Sequence, residues 1–494
     1  MVKNHNKPSA MASNGKPQAN SLDDVAVQMA HLALSPQDQQ KDEVLSSPLL
    51  TVPLIDQSAP TQYGLFGASI SEDSSVSADA RLFHNVTCPS SAFICGSQGS
   101  GKSNTLACLL ENCLIPSQLG KLPQPLTGIV FHYDSFVSDS GGLPCEAAFI
   151  ASHKSVSVRI LCAPTNFRTI QRIYGGVPKV KIEQLKLSNG DLNTSRMNHL
   201  MAVGENGSKP LYMQVVDRIL RDMRLMQQNN GGSFSYDKFK KYLGQENLTP
   251  AQMGPLQQRL DTLESFMIKK GRAADKVIDW KPKPGQLTVV DLSCPCVTAE
   301  LACSLFNMCL SLFLEQKSSI GRVVALDEAH KYIKESSESQ ALTGSLLETI
   351  RLQRHLGVRV LISTQEPTVS TKLLDLCSMT IVHRFNSPDW LRTLKSHLAG
   401  ISFMSVGTAA AEEGGDVPAV NPVNIQGKDP LSEVLAMILS LHTGQALVFA
   451  PSVVLGQQKT TENGLPVLDR LAHRPLRVKI RSRLTNDGGK TVMA

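Results

Sequence analysis

Residues 96–103, with the sequence Gly-Ser-Gln-Gly-Ser-Gly-Lys-Ser, constrain this chain more than any other stretch, because they match G-x-x-x-x-G-K-[ST] at every fixed position. The apolar residues 91–95 before them predict a buried strand, and residues 104–110 after them predict a helix. Glycines let backbone N–H groups approach phosphate oxygens closely, and the amino end of a helix attracts anions. The sequence therefore predicts a nucleotide-phosphate site at a strand-to-helix turn.

Two side chains of this loop have the chemistry that a bound ATP requires. The Lys102 ammonium is expected to contact the β and γ phosphates, and the Ser103 hydroxyl is expected to bind Mg²⁺. The backbone of the loop contributes further N–H donors. The predicted cofactors are ATP and Mg²⁺, and the predicted nucleotide-binding residues are Gly96, Ser97, Gln98, Gly99, Ser100, Gly101, Lys102, Ser103 and Asn104.

An acidic pair follows the apolar run of residues 322–326. Asp327 and Glu328 stand where a buried strand ends, and the carboxyl ends of strands face the ligand in a doubly wound parallel sheet. Asp327 is predicted to bind Mg²⁺ through water as the acidic partner of Ser103, and Glu328 is predicted to polarise the attacking water. Gln365 ends another apolar run, so its amide is expected beside the γ-phosphate.

The rest of the chain indicates one large α/β unit with an insertion. Residues 1–50 lack Phe, Trp, Tyr, Cys and Ile, which predicts disorder and leaves open whether a short helix after Ser21 docks or frays. Residues 51–485 are predicted to form the ATPase domain, with residues 51–90 as a lead-in to its first strand. A helical insertion is predicted over residues 165–284, and a flexible tail is predicted over residues 486–494.

Two basic stretches each leave two interpretations open. Residues 234–242 interleave four aromatic side chains with three lysines, which suits either nucleic-acid stacking or a helix that buries its aromatic face. Residues 477–483 alternate four basic side chains with other residues, which suits either an anion-binding face or an edge strand kept soluble by charge.

Composition limits the compartment and the partners. The 494 residues carry 49 Lys and Arg against 43 Asp and Glu, and the net charge of +6 is too small to indicate nucleic-acid binding by itself. Eleven cysteines without a CxxC pair disfavour a disulfide framework and indicate a reducing compartment. No apolar run reaches about 18 residues. The expected location is intracellular, cytoplasmic or nuclear, without membrane insertion.

Taken together, these motifs resemble the HerA/FtsK superfamily of P-loop ATPases and, within it, the HerA-like branch. The resemblance rests on residues 96–103, on Leu-Asp-Glu-Ala-His at 326–330, and on Arg-His-Leu-Gly at 354–357 leading to Ser-Thr-Gln-Glu-Pro. Two later runs, at residues 381–385 and 444–449, also resemble strands of the superfamily.

The resemblance implies a RecA-like core that assembles as a homo-oligomer, usually a hexameric ring, and moves DNA. By motif position it implies that Glu328 is the catalytic glutamate and that Gln365 senses the γ-phosphate. It also implies that Arg354 and Arg384 are the arginines that act near the phosphates.

The expected function is Mg²⁺-dependent ATP hydrolysis coupled to movement of a polymer, with DNA implied by the resemblance. An alternative stays open, in which an ATP-switched scaffold assembles with a protein partner and moves no nucleic acid. Two features depart from the superfamily: residues 51–90 are too few for its amino-terminal β-barrel, and Glu366 replaces an arginine that often follows the glutamine. Ring assembly and the identity of the polymer therefore stay open.

Overall fold

The computed structural model describes residues 36–70, 78–138, 141–201, 212–268, 277–397, 430–462, 465–472 and 474–488. Fourteen strands of this part of the chain form a single sheet, and two more form a separate hairpin. The sheet strands are β1 Leu49–Thr51, β2 Tyr63–Ser69, β3 Arg81–Asn85, β4 Ser91–Cys95, β5 Gly120–Lys121, β6 Thr127–His132, β7 Ser157–Cys162, β8 Val180–Gln184, β9 Gln286–Asp291, β10 Arg322–Leu326, β11 Val358–Thr364, β12 Met379–Val382, β13 Gln445–Phe449 and β16 Leu476–Ile480, and the hairpin strands are β14 Val454–Glu462 and β15 Leu465–Arg470.

The sheet has a parallel part and an antiparallel part. Eight strands pair in parallel in the order β12-β4-β11-β10-β6-β9-β7-β8. Beyond β12, the strands β13, β16, β2, β3 and β1 continue the sheet in antiparallel pairs, and β5 pairs with β2. The non-consecutive order of the parallel strands requires crossover connections, as in doubly wound α/β folds. The predicted α/β class with a mainly parallel sheet is confirmed.

Helices cover both faces of the sheet. None of the helices within the described ranges is both long enough and apolar enough to cross a membrane. The helices are α1 Pro36–Ser46, α2 Val52–Ser58, α3 Lys102–Leu114, α4 Phe167–Ile173, α5 Thr194–Met201, α6 Met213–Asn230, α7 Tyr236–Leu243, α8 Pro250–Phe266, α9 Ala299–Glu315, α10 Ser337–Arg351, α11 Gln353–Leu356, α12 Thr371–Leu376, α13 Pro388–His397 and α14 Pro430–Leu439.

Strand β10 shows why both faces need helices. Val323 and Ala325 are fully buried in the core that includes helix α3, whereas Val324 and Leu326 are fully buried in the core that includes α9. Successive side chains of a strand point to opposite faces, so a strand buried on both faces must be apolar throughout. The apolar run of β10 meets this requirement and delivers the acids that follow it to the end of a rigid strand.

The prediction that residues 1–50 are disordered includes too many residues at its carboxyl end. Residues 36–46 are helical, and Leu49–Thr51 pairs with β3. Leu49 and Leu50 are fully buried. This short apolar pair is hidden when the composition is averaged over fifty residues. Residues 51–90 are likewise more than a lead-in, because they contribute β2 and β3 to the sheet. The short helix predicted after Ser21 lies outside the described residues, as does the tail from residue 489 onward.

The helical insertion is shorter than predicted. Val180–Gln184 lies inside the range 165–284, yet it forms the edge strand β8 and pairs in parallel with β7. Its alternation of apolar and polar residues, Val-Lys-Ile-Glu-Gln, is typical of an edge strand rather than of a strand buried on both faces. In helix α7 the rings of Tyr236 and Phe239 are buried while Lys238 faces solvent. This arrangement favours the interpretation of residues 234–242 as a helix that buries its aromatic face.

The basic run near the carboxyl terminus does not form one exposed cationic face. Arg481 is buried and pairs with Glu111 of helix α3 at 2.7 Å, and Arg483 pairs with Glu146 at 2.7 Å. Lys479 is exposed. The four cations therefore do not form one free anion-binding face, because two of them neutralise carboxylates of their own chain. The interpretation of this run as an edge strand is wrong, because β16 lies between β13 and β2.

Candidate nucleotide site

The carboxyl ends of the parallel strands bring most of the predicted site residues to one edge of the sheet. The loop of residues 96–103 follows β4, Gln365 follows β11, and Asp327 and Glu328 follow β10, and these strands are neighbours in the order β4-β11-β10. Strand β12 flanks β4 on the other side and ends two residues before Arg384. Because parallel strands end at the same edge, the loop, both acids and the glutamine face one region.

The backbone of the loop has a positive φ, which favours glycine, at three positions. Gly96 has φ of 150°, Gly99 has φ of 72° and Gly101 has φ of 111°. A Cβ added at Gly96 would lie 2.7 Å from the Cβ of His383, so a larger residue would push the loop away from β12. A Cβ added at Gly99 would meet no atom within 4 Å, so this glycine borders open space at the tip of the loop.

Helix α3 begins at Lys102 without a side-chain cap. Thr105 is the residue whose amide donates to the Gly101 carbonyl, at 3.0 Å, so the amides of residues 102–104 precede the first hydrogen bond of the helix. An uncapped helix amino end beside a glycine loop is the donor set that binds a phosphate. The residues present therefore fit the triphosphate of ATP.

Lys102 lies folded over its own loop. Its side chain is nearly fully buried, and its Nζ donates to the Ser97 carbonyl at 3.0 Å. Burial lowers the pKa of Lys102, while the negative charge of Glu328 opposes that shift. The Lys102 ammonium therefore interacts with the carboxylate of Glu328 at the same edge of the sheet.

Two residues that directly follow β12 contact the loop. The Arg384 carbonyl accepts hydrogen bonds from the Ser97 amide at 2.9 Å and from the Ser97 hydroxyl at 2.8 Å. The His383 ring is fully buried; its Nδ1 donates to the Gln445 carbonyl, and its Nε2 lies 2.9 Å from the Thr105 hydroxyl. Burial lowers the pKa of His383 to about 4, so this ring is neutral at pH 7.

Glu328 is held in an unusual backbone conformation with two polar partners. Its φ of 50° and ψ of 46° lie in the left-handed region, which is uncommon for a residue with a side chain. The Gln365 amide donates to Glu328 Oε2 at 3.1 Å, and Nε2 of His330 lies 3.4 Å from the same oxygen. The Gln365 backbone N–H also donates to Nδ1 of His330 at 3.3 Å. Glu328, Gln365 and His330 thus form a closed triangle of polar contacts, which joins the predicted base to the predicted γ-phosphate sensor.

Asp327 has different partners from its neighbour. Its Oδ2 accepts from Nδ1 of His132 at 3.0 Å and from the Cys145 thiol at 3.4 Å. Burial alone would raise the pKa of Asp327, but the hydrogen bond and charge of His132 outweigh burial and lower it. A carboxylate at the end of β10 and the half-buried hydroxyl of Ser103 are the oxygen ligands that Mg²⁺ prefers, so these residues fit Mg²⁺.

The predicted arginines lie on opposite edges of the sheet. Arg384 is exposed beside the loop that its carbonyl supports. Arg354 is exposed before the first residue of β11, and this seven-residue strand separates it from Gln365 by roughly 20 Å. Arg354 therefore does not reach the loop of its own chain, and its predicted role near the phosphates stays a prediction that would involve a neighbouring chain. Asn104, one of the predicted nucleotide-binding residues, uses its side-chain amide to donate to the Arg481 carbonyl at 3.1 Å.

Four residues of the site were not predicted to belong to it. His330 and His383 lie inside the motifs at residues 326–330 and 381–385. The sequence therefore already placed them near other predicted site residues. His132 ends a predicted strand, but its pairing with Asp327 depends on β6 lying next to β10. Cys145 has no local signal, because it precedes a short 3-10 helix, Glu146–Ser152, that returns to this edge.

The doubly wound sheet and the glycine loop between β4 and α3 together define a P-loop NTPase fold. No family model matches the sequence, and no curated protein matches it. Similar solved structures include VirB4, a DNA-packaging ATPase and a conjugation coupling protein.

Three of these structures show how distant the likeness is. VirB4 of Thermoanaerobacter pseudethanolicus is 11% identical with a TM-score of 0.43, and the match covers 84% of this chain and 96% of that one. The DNA-packaging ATPase B204 from Sulfolobus turreted icosahedral virus is 10% identical with a TM-score of 0.24 and coverages of 66% and 92%. The pCW3 conjugation coupling protein TcpA is 9% identical with a TM-score of 0.29 and coverages of 85% and 66%. Such values transfer no residue's role, which must come from the geometry of this chain.

Proposed function

We propose that this protein is an Mg²⁺-dependent ATPase that couples hydrolysis of the β–γ phosphate bond to movement of a polymer. The observation that carries the proposal is the carboxylate of Glu328, which Gln365 and His330 hold at the edge where the glycine loop ends. A positioned carboxylate can accept the proton of an attacking water. Ser103 and Asp327 would hold Mg²⁺, which would supply charge neutralisation at the phosphates.

The other residues bind and orient. Amides of residues 102–104 donate hydrogen bonds to the phosphates, and the Lys102 ammonium neutralises part of their negative charge. Gln365 connects the phosphate end of the site to the base. Arg384 lies beside the loop and adds a second cation at this edge. Each role follows from the position of the residue at the carboxyl end of its strand.

Arg354 requires a second copy of the chain to reach a phosphate. It is exposed on the edge opposite its own loop, so in a ring it would serve a neighbour. The DNA component of the proposal rests on the motif resemblance and on similar structures such as the DNA-packaging ATPase. The alternative of an ATP-switched scaffold is distinguished by the response to DNA.

The nucleotide site is tested by Lys102→Ala. We expect this change to abolish tight ATP binding and turnover, because it removes the cation that contacts the phosphates. Lys372→Ala, at an exposed lysine in helix α12, is the matched control and should bind and hydrolyse ATP at the parental rate. Unaltered ATP affinity in Lys102→Ala would contradict the assignment of the loop.

The role of Arg354 is tested by mixing two inactive variants. Arg354→Ala retains an intact loop, and Lys102→Ala retains Arg354, so a mixed ring contains subunit pairs with both elements. We expect the mixture to hydrolyse ATP faster than either variant alone.

The choice between a DNA motor and a scaffold is tested by ATPase rates with and without single- and double-stranded DNA, together with the solution mass with and without ATP. A rate that DNA does not change favours the scaffold.

A further inference from the structure

A compact group of three potential metal ligands lies beside the nucleotide site. His132 ends β6, Asp327 follows β10, and Cys145 precedes the 3-10 helix Glu146–Ser152. The ligand atoms of these residues all lie within 4.8 Å of one another, and all three residues are buried. The proposed ATPase mechanism uses Asp327 but has no use for an imidazole and a thiol on the same carboxylate oxygen.

The spacing of the donor atoms suits a small cation. His132 Nδ1 lies 3.0 Å from Asp327 Oδ2, and the Cys145 sulfur lies 3.4 Å from that oxygen. In a tetrahedral site with bonds of about 2.0 Å to nitrogen or oxygen and about 2.3 Å to sulfur, donor atoms are separated by roughly 3.3 to 3.7 Å. Small side-chain shifts would therefore place all three donors around one ion.

The surrounding hydrogen bonds hold these ligands in place. The Cys145 backbone N–H donates to the Tyr174 hydroxyl at 3.0 Å, and that hydroxyl donates to Asp291 at 2.6 Å. The Asp327 backbone N–H donates to the Phe131 carbonyl at 3.0 Å. Metal sites depend on such outer hydrogen bonds to orient their ligands. The side chains of His132 and Asp327 keep 8% and 6% of their surface exposed, so the cluster is not sealed from solvent.

The donor types select the class of cation. Thiolate and imidazole bind Zn²⁺ and its heavier analogue Cd²⁺, whereas Mg²⁺ takes oxygen ligands. A divalent cation bound to one thiolate and one carboxylate also leaves the buried site without net charge, which limits the cost of burial. On binding, the Cys145 thiol proton and the proton that His132 Nδ1 donates to Asp327 both pass to the buffer. The imidazole keeps a proton on Nε2, which has no hydrogen-bond partner among the described residues.

We propose that His132, Cys145 and Asp327 form a binding site for a thiophilic divalent cation of the Zn²⁺ class. An ion at this site would occupy the Asp327 carboxylate, so it would lower ATPase activity by withdrawing that residue from Mg²⁺. This consequence rests on the proposed function, whereas the binding of the ion itself does not.

The site is tested with Cd²⁺ as the probe, because a Cd²⁺–thiolate bond absorbs in the ultraviolet by charge transfer. The full-length protein is titrated with Cd²⁺ beside three cysteine variants: Cys145→Ser at the site, Cys162→Ser at a buried cysteine elsewhere, and Cys296→Ser at the exposed cysteine. We expect one tight equivalent of Cd²⁺–thiolate absorption that Cys145→Ser removes and that the two control variants retain. Affinity should increase with pH, because the ion must displace the protons on its ligands.

Two further variants keep the outcome decisive. His132→Gln should weaken Cd²⁺ binding by at least about tenfold even if Cys145→Ser folds poorly. Lys102→Ala should lose ATP binding and keep the Cd²⁺ site, so failure of the ATPase proposal and failure of the metal proposal are distinguishable. Equal Cd²⁺ absorption and affinity in the parent, Cys145→Ser and His132→Gln would overturn the site, as would absence of any tight equivalent in the parent.

Discussion

The two halves of the carboxyl edge of the sheet have opposite electrostatic character. On the β4 and β12 side, Lys102 and the neutral ring of His383 accompany uncapped amides. On the β10 and β6 side, Asp327 and Glu328 are accompanied by His132, whose pKa is raised well above its usual value because contacts with Cys145 and Asp327 outweigh the opposing effect of burial. Two buried histidines thus have pKa values shifted in opposite directions. The loop side of this edge therefore carries a cation, whereas the β10 and β6 side carries two carboxylates.

The largest expected effect comes from the acidic half. Glu328→Gln keeps the size of the side chain but removes the carboxylate that accepts a proton. We expect kcat to fall by about 10² to 10⁴ while ATP affinity stays near the parental value. Glu366→Gln is the matched control, because Glu366 is exposed and adjoins Gln365. A parental kcat in Glu328→Gln, measured by steady-state phosphate release, would remove Glu328 as the base.

The phosphate half has a predicted pH signature in stability. His383 titrates near its ordinary pKa of 6.5 in the unfolded chain and at about 4 in the fold. Between these values the unfolded chain binds the proton and the folded chain does not, so the stabilisation is complete above pH 6.5 and is lost as pH falls toward 4. The loss attributable to His383 is roughly 2 to 3 kcal/mol by pH 4.5.

This signature is isolated with His383→Asn, in which no imidazole titrates. Urea unfolding at pH 7 and pH 4.5 should show a smaller decrease in the free energy of unfolding for the variant than for the parent. An equal decrease in both proteins would mean that the ring is not held neutral beneath the loop.

The smallest effect concerns the triangle that joins the two halves. His330 contacts the Glu328 carboxylate and the Gln365 backbone N–H but is a positioning residue, so His330→Ala should lower kcat by about tenfold with little change in ATP affinity. His330→Asn retains an acceptor for the Gln365 N–H and should recover part of the loss. A change in ATP affinity with unaltered kcat would instead indicate that the ring acts on nucleotide binding.

Local patterns were enough to predict one part of this site. The glycine loop, the apolar run ending in Asp327 and Glu328, and the run ending in Gln365 are each encoded within about ten residues, and parallel pairing brings their ends together. The edge assignment of Arg354 was also available, because a residue before a parallel strand lies on the edge opposite its carboxyl end.

Contacts between distant residues were not predictable in this way. Arg481 neutralises Glu111, which lies 370 residues earlier, and a single sequence contains no signal for that pairing. Cys145 reaches Asp327 across 182 residues through an irregular loop. Strand β8 was not predicted because one of its faces is polar. Such a sequence resembles an irregular or helical segment when the neighbouring strands are unknown.

We propose that Glu328 activates the water that cleaves ATP bound at the loop of residues 96–103. This role is tested by identifying the nucleotide that the protein retains after incubation with Mg²⁺ and ATP, in the parent and in Glu328→Gln. We expect the parent to release phosphate and retain ADP, and Glu328→Gln to retain intact ATP. Recovery of ADP from Glu328→Gln in the same time and amount as from the parent would mean that Glu328 does not activate the water.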